Sequence, residues 1–263
     1  MTLALIAGRG RLPDAVAQSV EGELMVAALE GFPPDALAVD VEFRIEQLGS
    51  FITNLKDRGV TEVCFAGAIR RPPLDPAAVD AATLPLVPRM MKALQEGDDA
   101  ALRTVLGFFE EAGLTVRGAH EVSPDLLPPP GVLTARKPDT QNERDAERAE
   151  QIVEALGAAD VGQSCVVHKG QALAVEALPG TDWMLESLVS FRDGQTGGIF
   201  FKTPKPGQDL RIDMPTIGSE TVVKVARAGL DGIVISAGGV LSIGLADIVK
   251  GLDERGMFLW VRG

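Results

Sequence analysis

The feature that most limits how this chain can fold is a run of four prolines in nine residues, SPDLLPPPG at positions 123–131. Proline fixes φ and lacks a backbone N–H, so neither a helix nor a central strand can run through such a segment. It reads as a linker or a domain edge. The 263 residues then divide into an N-terminal unit, 1–126, a linker, 127–133, and a C-terminal unit, 134–263. Both units are of ordinary domain size.

The two units are patterned differently. In the first, apolar runs at 3–7, 24–29, 41–45, 62–68 and 114–117 are rich in Val, Ile and Leu without strict alternation. Strands of a parallel sheet covered on both faces read this way. Helical spacing separates them at 13–20, at 46–58 with Gly59 as C-cap, and at 85–112 with a break at Gly97-Asp98-Asp99. The succession predicts an α/β fold, a Rossmann-like parallel sheet with helices on both faces. The second unit predicts a separate α/β domain. A helix over 142–156 ends at Gly157, strands 164–168 and 171–177 join at Lys169-Gly170, and a short helix follows Gly180-Thr181. After these come a strand at 198–202, a polar loop at 203–218, a helix at 219–228 and strands at 232–236 and 258–261.

Composition excludes several classes. With 46% hydrophobic and 24% charged residues the chain is expected to fold as a soluble protein. The apolar stretch at the start is too short for a signal peptide, and no run reaches 18 apolar residues, so a cytoplasmic protein is expected. A net charge of −12 argues against nucleic acid as partner. Cys64 and Cys165 lie in different apolar runs and read as buried thiols, while His120 and His168 lack ligand-spaced partners and read as structural.

An acidic protein that handles phosphate must gather its cations locally or use a metal, and one segment does the gathering. FFKTPKPGQDLRIDMPTIG packs Lys202, Lys205, Gln208, Asp209, Arg211 and Asp213 into twelve residues between prolines. If 209–213 is extended, Asp209, Arg211 and Asp213 share one face. Two carboxylates flanking an arginine suit Mg²⁺ bridging to substrate phosphates, with lysine and arginine neutralising the transferring group. Glu176, in the apolar run LAVEA, needs a partner if buried and is the leading additional ligand. Thr181 is a natural N-cap for the next helix, with Asp182 in its first turn.

Gly8 and Gly10 follow the first strand in LALIAGRGRLP, where glycines allow close approach and a helix N-terminus can meet an anion. Pro13 replaces the third glycine of a dinucleotide fingerprint. Gly67, at a second strand end and followed by Arg70 and Arg71, is a companion candidate. Asp98 and Asp99 open a helix and suit its dipole, or one of them reaches a metal or a sugar hydroxyl.

The motifs IAGRGRLP, FAGAIRRP, GDDAALR, DVGQSCVV, LAVEALPGTD and KTPKPGQDLRIDMPTIG, in this order, resemble the UDP-2,3-diacylglucosamine pyrophosphatases of the LpxI type over essentially the whole chain. That resemblance implies Mg²⁺-dependent hydrolysis, with Mn²⁺ a substitute, of a lipid-linked UDP-sugar to UMP and 2,3-diacylglucosamine 1-phosphate in lipid A biosynthesis. Water would attack the sugar-side phosphorus. It also implies a Rossmann-like half, a separate α/β half and a substrate bound between them. The family's R-x-D-x-P aspartate falls on Asp213, and Pro179 and Glu186 depart from the pattern.

The resulting expectation is specific. Asp213, with Asp209 or Glu176, holds the metal, and Lys202, Lys205 and Arg211 stabilise developing charge. Gln208, Thr181, Asp182, Asp98 and Asp99 contact substrate, and uridine lies toward Gly8, Gly10 and Gly67. Acyl chains need an apolar groove, for which Met90, Met91, Leu94, Phe108 and Phe109 are candidates. Transient contact with the inner membrane and a symmetric homodimer complete it. The competing readings are a non-catalytic lipid–nucleotide carrier and a nicotinamide-dependent oxidoreductase.

Overall fold

The computed structural model describes residues 2–69 and 74–263, except for the side chains of Glu96, Asp98 and Asp99. Arg70 and Arg71 therefore lie outside the described residues, as do the side-chain roles expected of Asp98 and Asp99. The chain forms two compact units, Met1–Pro124 and Asp125–Gly263.

The first unit is built on β1 (Thr2–Ala7), β2 (Glu23–Leu29), β3 (Val41–Phe43), β4 (Glu62–Ala66) and β5 (Thr115–Arg117). Their order is β3-β2-β1-β4-β5 and every pairing is parallel. The helices are α1 (Leu12–Gln18), α2 (Leu48–Asp57), α3 (Val87–Glu96), α4 (Asp98–Glu111) and the short α5 (Ala119–Val122). Continuous apolar runs make the central strands because both faces are covered, and Ala4, Leu5, Ile6 and Ala7 are all at most 2% exposed. From α2, Phe51 stacks on Phe43 with ring centroids 3.9 Å apart, and Phe109 of α4 meets Phe65 edge-on at 5.3 Å.

That packing corrects the expected acyl groove. Met90, Phe108 and Phe109 are core residues, and truncating an aromatic so placed costs about 3–5 kcal/mol. Met91 is the exposed member of the set.

The second unit begins with the proline stretch, which is not a free linker. Leu126 is buried, and its carbonyl accepts a bond from Ser242 Oγ at 3.2 Å. Within the expected linker, β6 (Gly131–Val132) pairs antiparallel with the last strand. Proline excludes the segment from a sheet interior, but a two-residue edge strand leaves it room.

There follow α6 (Thr140–Ala158), β7 (Ser164–His168), β8 (Gln171–Val175), α7 (Gly180–Arg192), β9 (Ile199–Lys202), β10 (Thr216–Gly218) and α8 (Ser219–Arg227). Then come β11 (Gly232–Ser236), β12 (Leu241–Ile243), α9 (Leu245–Asp253) and β13 (Phe258–Arg262). Asp139 caps α6 by accepting the N–H groups of Gln141 and Asn142, both at 2.8 Å. The main sheet runs β6-β13-β11-β9-β7-β8, with β13, β11 and β9 parallel and β7 antiparallel to β9. β10 and β12 form a separate parallel pair.

Alternation assigns the two faces. Ile199, Phe201, Cys165, Val167 and Val234 pack against Ala146, Ala149 and Val153 of α6. Phe200, Val166, Ile233 and Ile235 pack against α7, α8 and α9 through residues such as Leu185, Val225 and Ile248. By the same period, Lys202 and Ser164 point to the α7/α8 face, one step beyond its apolar core.

Candidate active site

Lys202 is the last residue of β9, and Ser164, the first of β7, is its partner across the antiparallel ladder. One strand further, Glu176 follows β8, and its N–H bonds the Ser164 carbonyl at 2.9 Å. Three polar side chains thus stand in a row across adjoining strands, all buried: Ser164 at 0%, Lys202 at 7% and Glu176 at 8% exposure.

They are joined through Thr181. Lys202 Nζ donates to Thr181 Oγ1 at 3.0 Å, Thr181 Oγ1 donates to Glu176 Oε1 at 2.8 Å, and Ser164 Oγ donates to Glu176 Oε2 at 2.7 Å. Gly180, at φ +86°, makes the turn that starts α7 and sets Thr181 over this row. The helix begins at Gly180 with Pro179 as its N-cap. Thr181 is therefore not the cap expected from the sequence, because its hydroxyl is spent on Glu176.

Lys202 and Thr181 open onto a cleft of about 290 Å³ whose lining is completed by Pro179, Gly180, Asp182, Thr216 and Thr221. Its place, beyond the carboxyl end of a parallel strand, is the usual ligand position in α/β sheets. The first turns of both α7 and α8 open onto it, and each presents the positive end of a helix dipole. At the rim, Lys224 of α8 pairs with Asp182 at 2.5 Å. Burial pushes the Lys202 ammonium below the usual lysine range, while the charges of Glu176, Asp182 and Asp213 act the other way. A buried cation under two helix N-termini is an arrangement for receiving an anion.

The charged loop departs from the expected extended face. Residues 203–215 form turns, with the N–H groups of Ile212 and Asp213 both directed at the Asp209 carbonyl. Pro204, Pro206 and Gly207 favour turning over pairing, so Asp209, Arg211 and Asp213 do not share a strand face. Asp209 instead takes Arg211 in a fork, Nε to Oδ1 at 2.9 Å and Nη2 to Oδ2 at 2.7 Å. Lys205 Nζ reaches Asp160 at 2.6 Å. Gln208 braces the loop, accepting the Lys205 N–H and donating to both Asp213 O and Asp213 Oδ2.

Both oxygens of Glu176, expected as a metal ligand, are engaged by hydroxyls, with the Lys202 ammonium beyond Thr181. Among the described residues no group of three His, Cys, Asp or Glu side chains could hold a metal ion. Cys64 and Cys165 are buried and pushed up to about 12 by desolvation, which keeps them protonated and unreactive.

In the first unit the glycine turn is closed by its own backbone. The N–H groups of Gly8, Arg9 and Gly10 are directed to Ala66 O at 2.8 Å, Ala68 O at 3.0 Å and Asp35 Oδ2 at 2.9 Å. A Cβ on Gly67, at φ +94°, would lie 2.7 Å from Gly8 C. Gly8 and Gly67 serve the crossing of two strand ends, whereas a Cβ on Gly10 would meet nothing within 4 Å.

Sequence reasoning brought Lys202, Glu176, Thr181 and Asp182 to one place but missed Ser164, Thr216, Thr221 and Lys224. Ser164 had a signal in its register opposite a charged strand end; the others are brought in by packing of α8 and β10 that no local pattern encodes.

Among the described residues no helix is long and apolar enough to cross a membrane. Comparison with known proteins matches residues 2–126 to the LpxI N-terminal domain and residues 129–260 to the LpxI C-terminal domain. The chain is 36% identical over 268 residues to a Caulobacter vibrioides protein named UDP-2,3-diacylglucosamine pyrophosphatase LpxI, covering 98% of this chain and 96% of that one. On both halves and nearly its full length, the chain belongs to the LpxI family.

Proposed function

We propose that this protein hydrolyses the pyrophosphate of UDP-2,3-diacylglucosamine to UMP and 2,3-diacylglucosamine 1-phosphate in lipid A biosynthesis. The observation that carries the reading is the cleft in which buried Lys202 meets the first turns of α7 and α8. The name of the 36% identical relative supports the substrate. The pyrophosphate binds in this cleft. The Thr181 bond engages one of the three N–H donors of Lys202, and the others meet a phosphoryl oxygen as charge develops in water attack at the sugar-side phosphorus.

Mg²⁺ keeps several waters and takes one or two carboxylates plus substrate phosphates, so the absence of a three-carboxylate cluster among the described residues is compatible with it. Asp213 is the carboxylate that would hold it: its charge acts on Lys202 and Gln208 braces its Oδ2, while Glu176 is engaged by two hydroxyls and Asp209 by Arg211. Bound there with substrate, the ion would neutralise phosphate charge and lower the pKa of water. Lys205 and Arg211 shape the loop that carries Asp213. The protein works in the cytoplasm, meeting its lipid substrate at the inner membrane surface.

The test is UMP release from UDP-2,3-diacylglucosamine with and without Mg²⁺, in the wild type and in Asp213→Ala. Release that needs Mg²⁺ and falls at least about 10³-fold in the variant is expected. Tight binding without release would replace the hydrolase by a carrier.

A further inference from the structure

We infer that Glu176 is a positioning residue: through the Thr181 hydroxyl it holds the Lys202 ammonium aimed into the cleft. The inference rests on the hydrolase reading above and assigns roles inside the same site.

The polarity of the chain is fixed by chemistry. A threonine hydroxyl has one proton to give, and an ionised carboxylate accepts only. Thr181 therefore donates to Glu176 and accepts from Lys202, at 2.8 and 3.0 Å. Ser164 pins the other oxygen of Glu176 at 2.7 Å, so the carboxylate cannot rotate away without losing a buried bond. Backbone pairing holds all three anchors, since Ser164 lies opposite Lys202 and the Glu176 N–H bonds the Ser164 carbonyl.

A lysine stem is long and flexible, and an ammonium that must search for its partner loses much of its value in the transition state. A group fixed in advance avoids that reorganisation. Glu176 also supplies charge. Its field favours the ammonium against the desolvation that would discharge it.

A merely structural network would tie β8 to α7 and no more. The two accounts separate in Thr181→Val, Thr181→Ser, Glu176→Gln and the double variant Thr181→Val/Glu176→Gln, each first shown to be folded by its unfolding transition. If the relay positions Lys202, Thr181→Val and Glu176→Gln each lower kcat by about 10²-fold with KM within about threefold, as expected when a transition-state interaction is lost. Thr181→Ser retains the hydroxyl and stays within about fivefold of wild type. The double variant is no worse than the poorer single one, because the residues act as a unit. Should Thr181→Val fail to fold, Glu176→Gln against Thr181→Ser carries the same comparison.

A second readout needs no turnover: proton exchange at Lys202 Nζ, followed by NMR in ¹⁵N-lysine-labelled protein and assigned with Lys202→Met. Exchange should accelerate in Thr181→Val and Glu176→Gln but not in Thr181→Ser. A wild-type kcat in Glu176→Gln, or a Thr181→Ser as impaired as Thr181→Val, overturns the inference. If the wild type releases no UMP, the hydrolase reading fails by itself. Unchanged Lys202 exchange in Glu176→Gln then overturns the positioning role separately.

Discussion

Both units carry a strand into a glycine-containing turn and then a helix, and the two turns meet different surroundings. After β1, the N–H groups of Gly8, Arg9 and Gly10 are occupied by Ala66, Ala68 and Asp35, and α1 is only seven residues long. After β8, the turn at Gly180 stands over a buried lysine, and the 13-residue α7 faces a cleft with α8. The difference teaches what each residue type reports. Glycine at a strand end reports that backbones come close, and the close partner here is another strand end. A lysine buried at a strand end is costly in isolation, so it reports a partner, either a fixed carboxylate or an incoming anion.

The comparison breaks most visibly at Lys202. Lys202→Met keeps the length of the stem and removes the charge. Turnover, measured as kcat/KM, should fall by about 10³-fold, or ~4 kcal/mol. The variant removes one partner of a buried charge pair and leaves the Glu176 carboxylate behind, so the unfolding midpoint should fall as well, and turnover is compared on protein shown to be folded. A variant with wild-type turnover would return the cleft to the standing of the glycine turn.

The reverse experiment is Gly67→Ala. The added Cβ would lie 2.7 Å from Gly8 C and 2.8 Å from Arg9 O, at a φ of +94°. Both neighbours are backbone and cannot swing aside. Urea unfolding should show a loss of about 2–4 kcal/mol, while the protein that remains folded keeps its kcat. A loss of kcat at unchanged stability would make the turn a ligand site after all.

How legible each region was follows from the same contrast. The first unit could be read from its apolar runs, because a parallel sheet covered on both faces writes itself as contiguous Val, Ile and Leu. Gly59 closes α2 at φ +77°, as a C-cap glycine should. In the second unit, α9 over Leu245–Asp253 went unread between two strands, and β6, β10 and β12 are of two or three residues, too short to show a period. Within the site, Lys202 and Thr181 could be singled out by residue type, but their partners could not. Alternation over 209–213 suggested a shared face because it assumed a strand, whereas the prolines and Gly207 make turns there. Glu176 was rightly seen to need a partner. That the partners are Ser164 and Thr181 depends on strand register, which a single sequence does not reveal.

The smallest expected effect is also the most discriminating, because it separates function from stability in one residue. Lys202 has its proton affinity lowered by burial. Between its folded value and the usual lysine value, the native protein binds fewer protons at this position than the unfolded chain does. Stability then rises with pH across that window, by no more than about 1.4 kcal/mol per pH unit for one proton. Activity should move the opposite way, since the ammonium that meets the phosphoryl oxygen is discharged over the same window. Urea unfolding of wild type against Lys202→Met at stepped alkaline pH isolates the stability slope. UMP release on the same samples gives the activity limb. Opposed slopes that vanish together in Lys202→Met place the buried charge at the chemistry. Slopes of the same sign would mean that Lys202 is a structural cation, and would leave the two turns differing in shape alone.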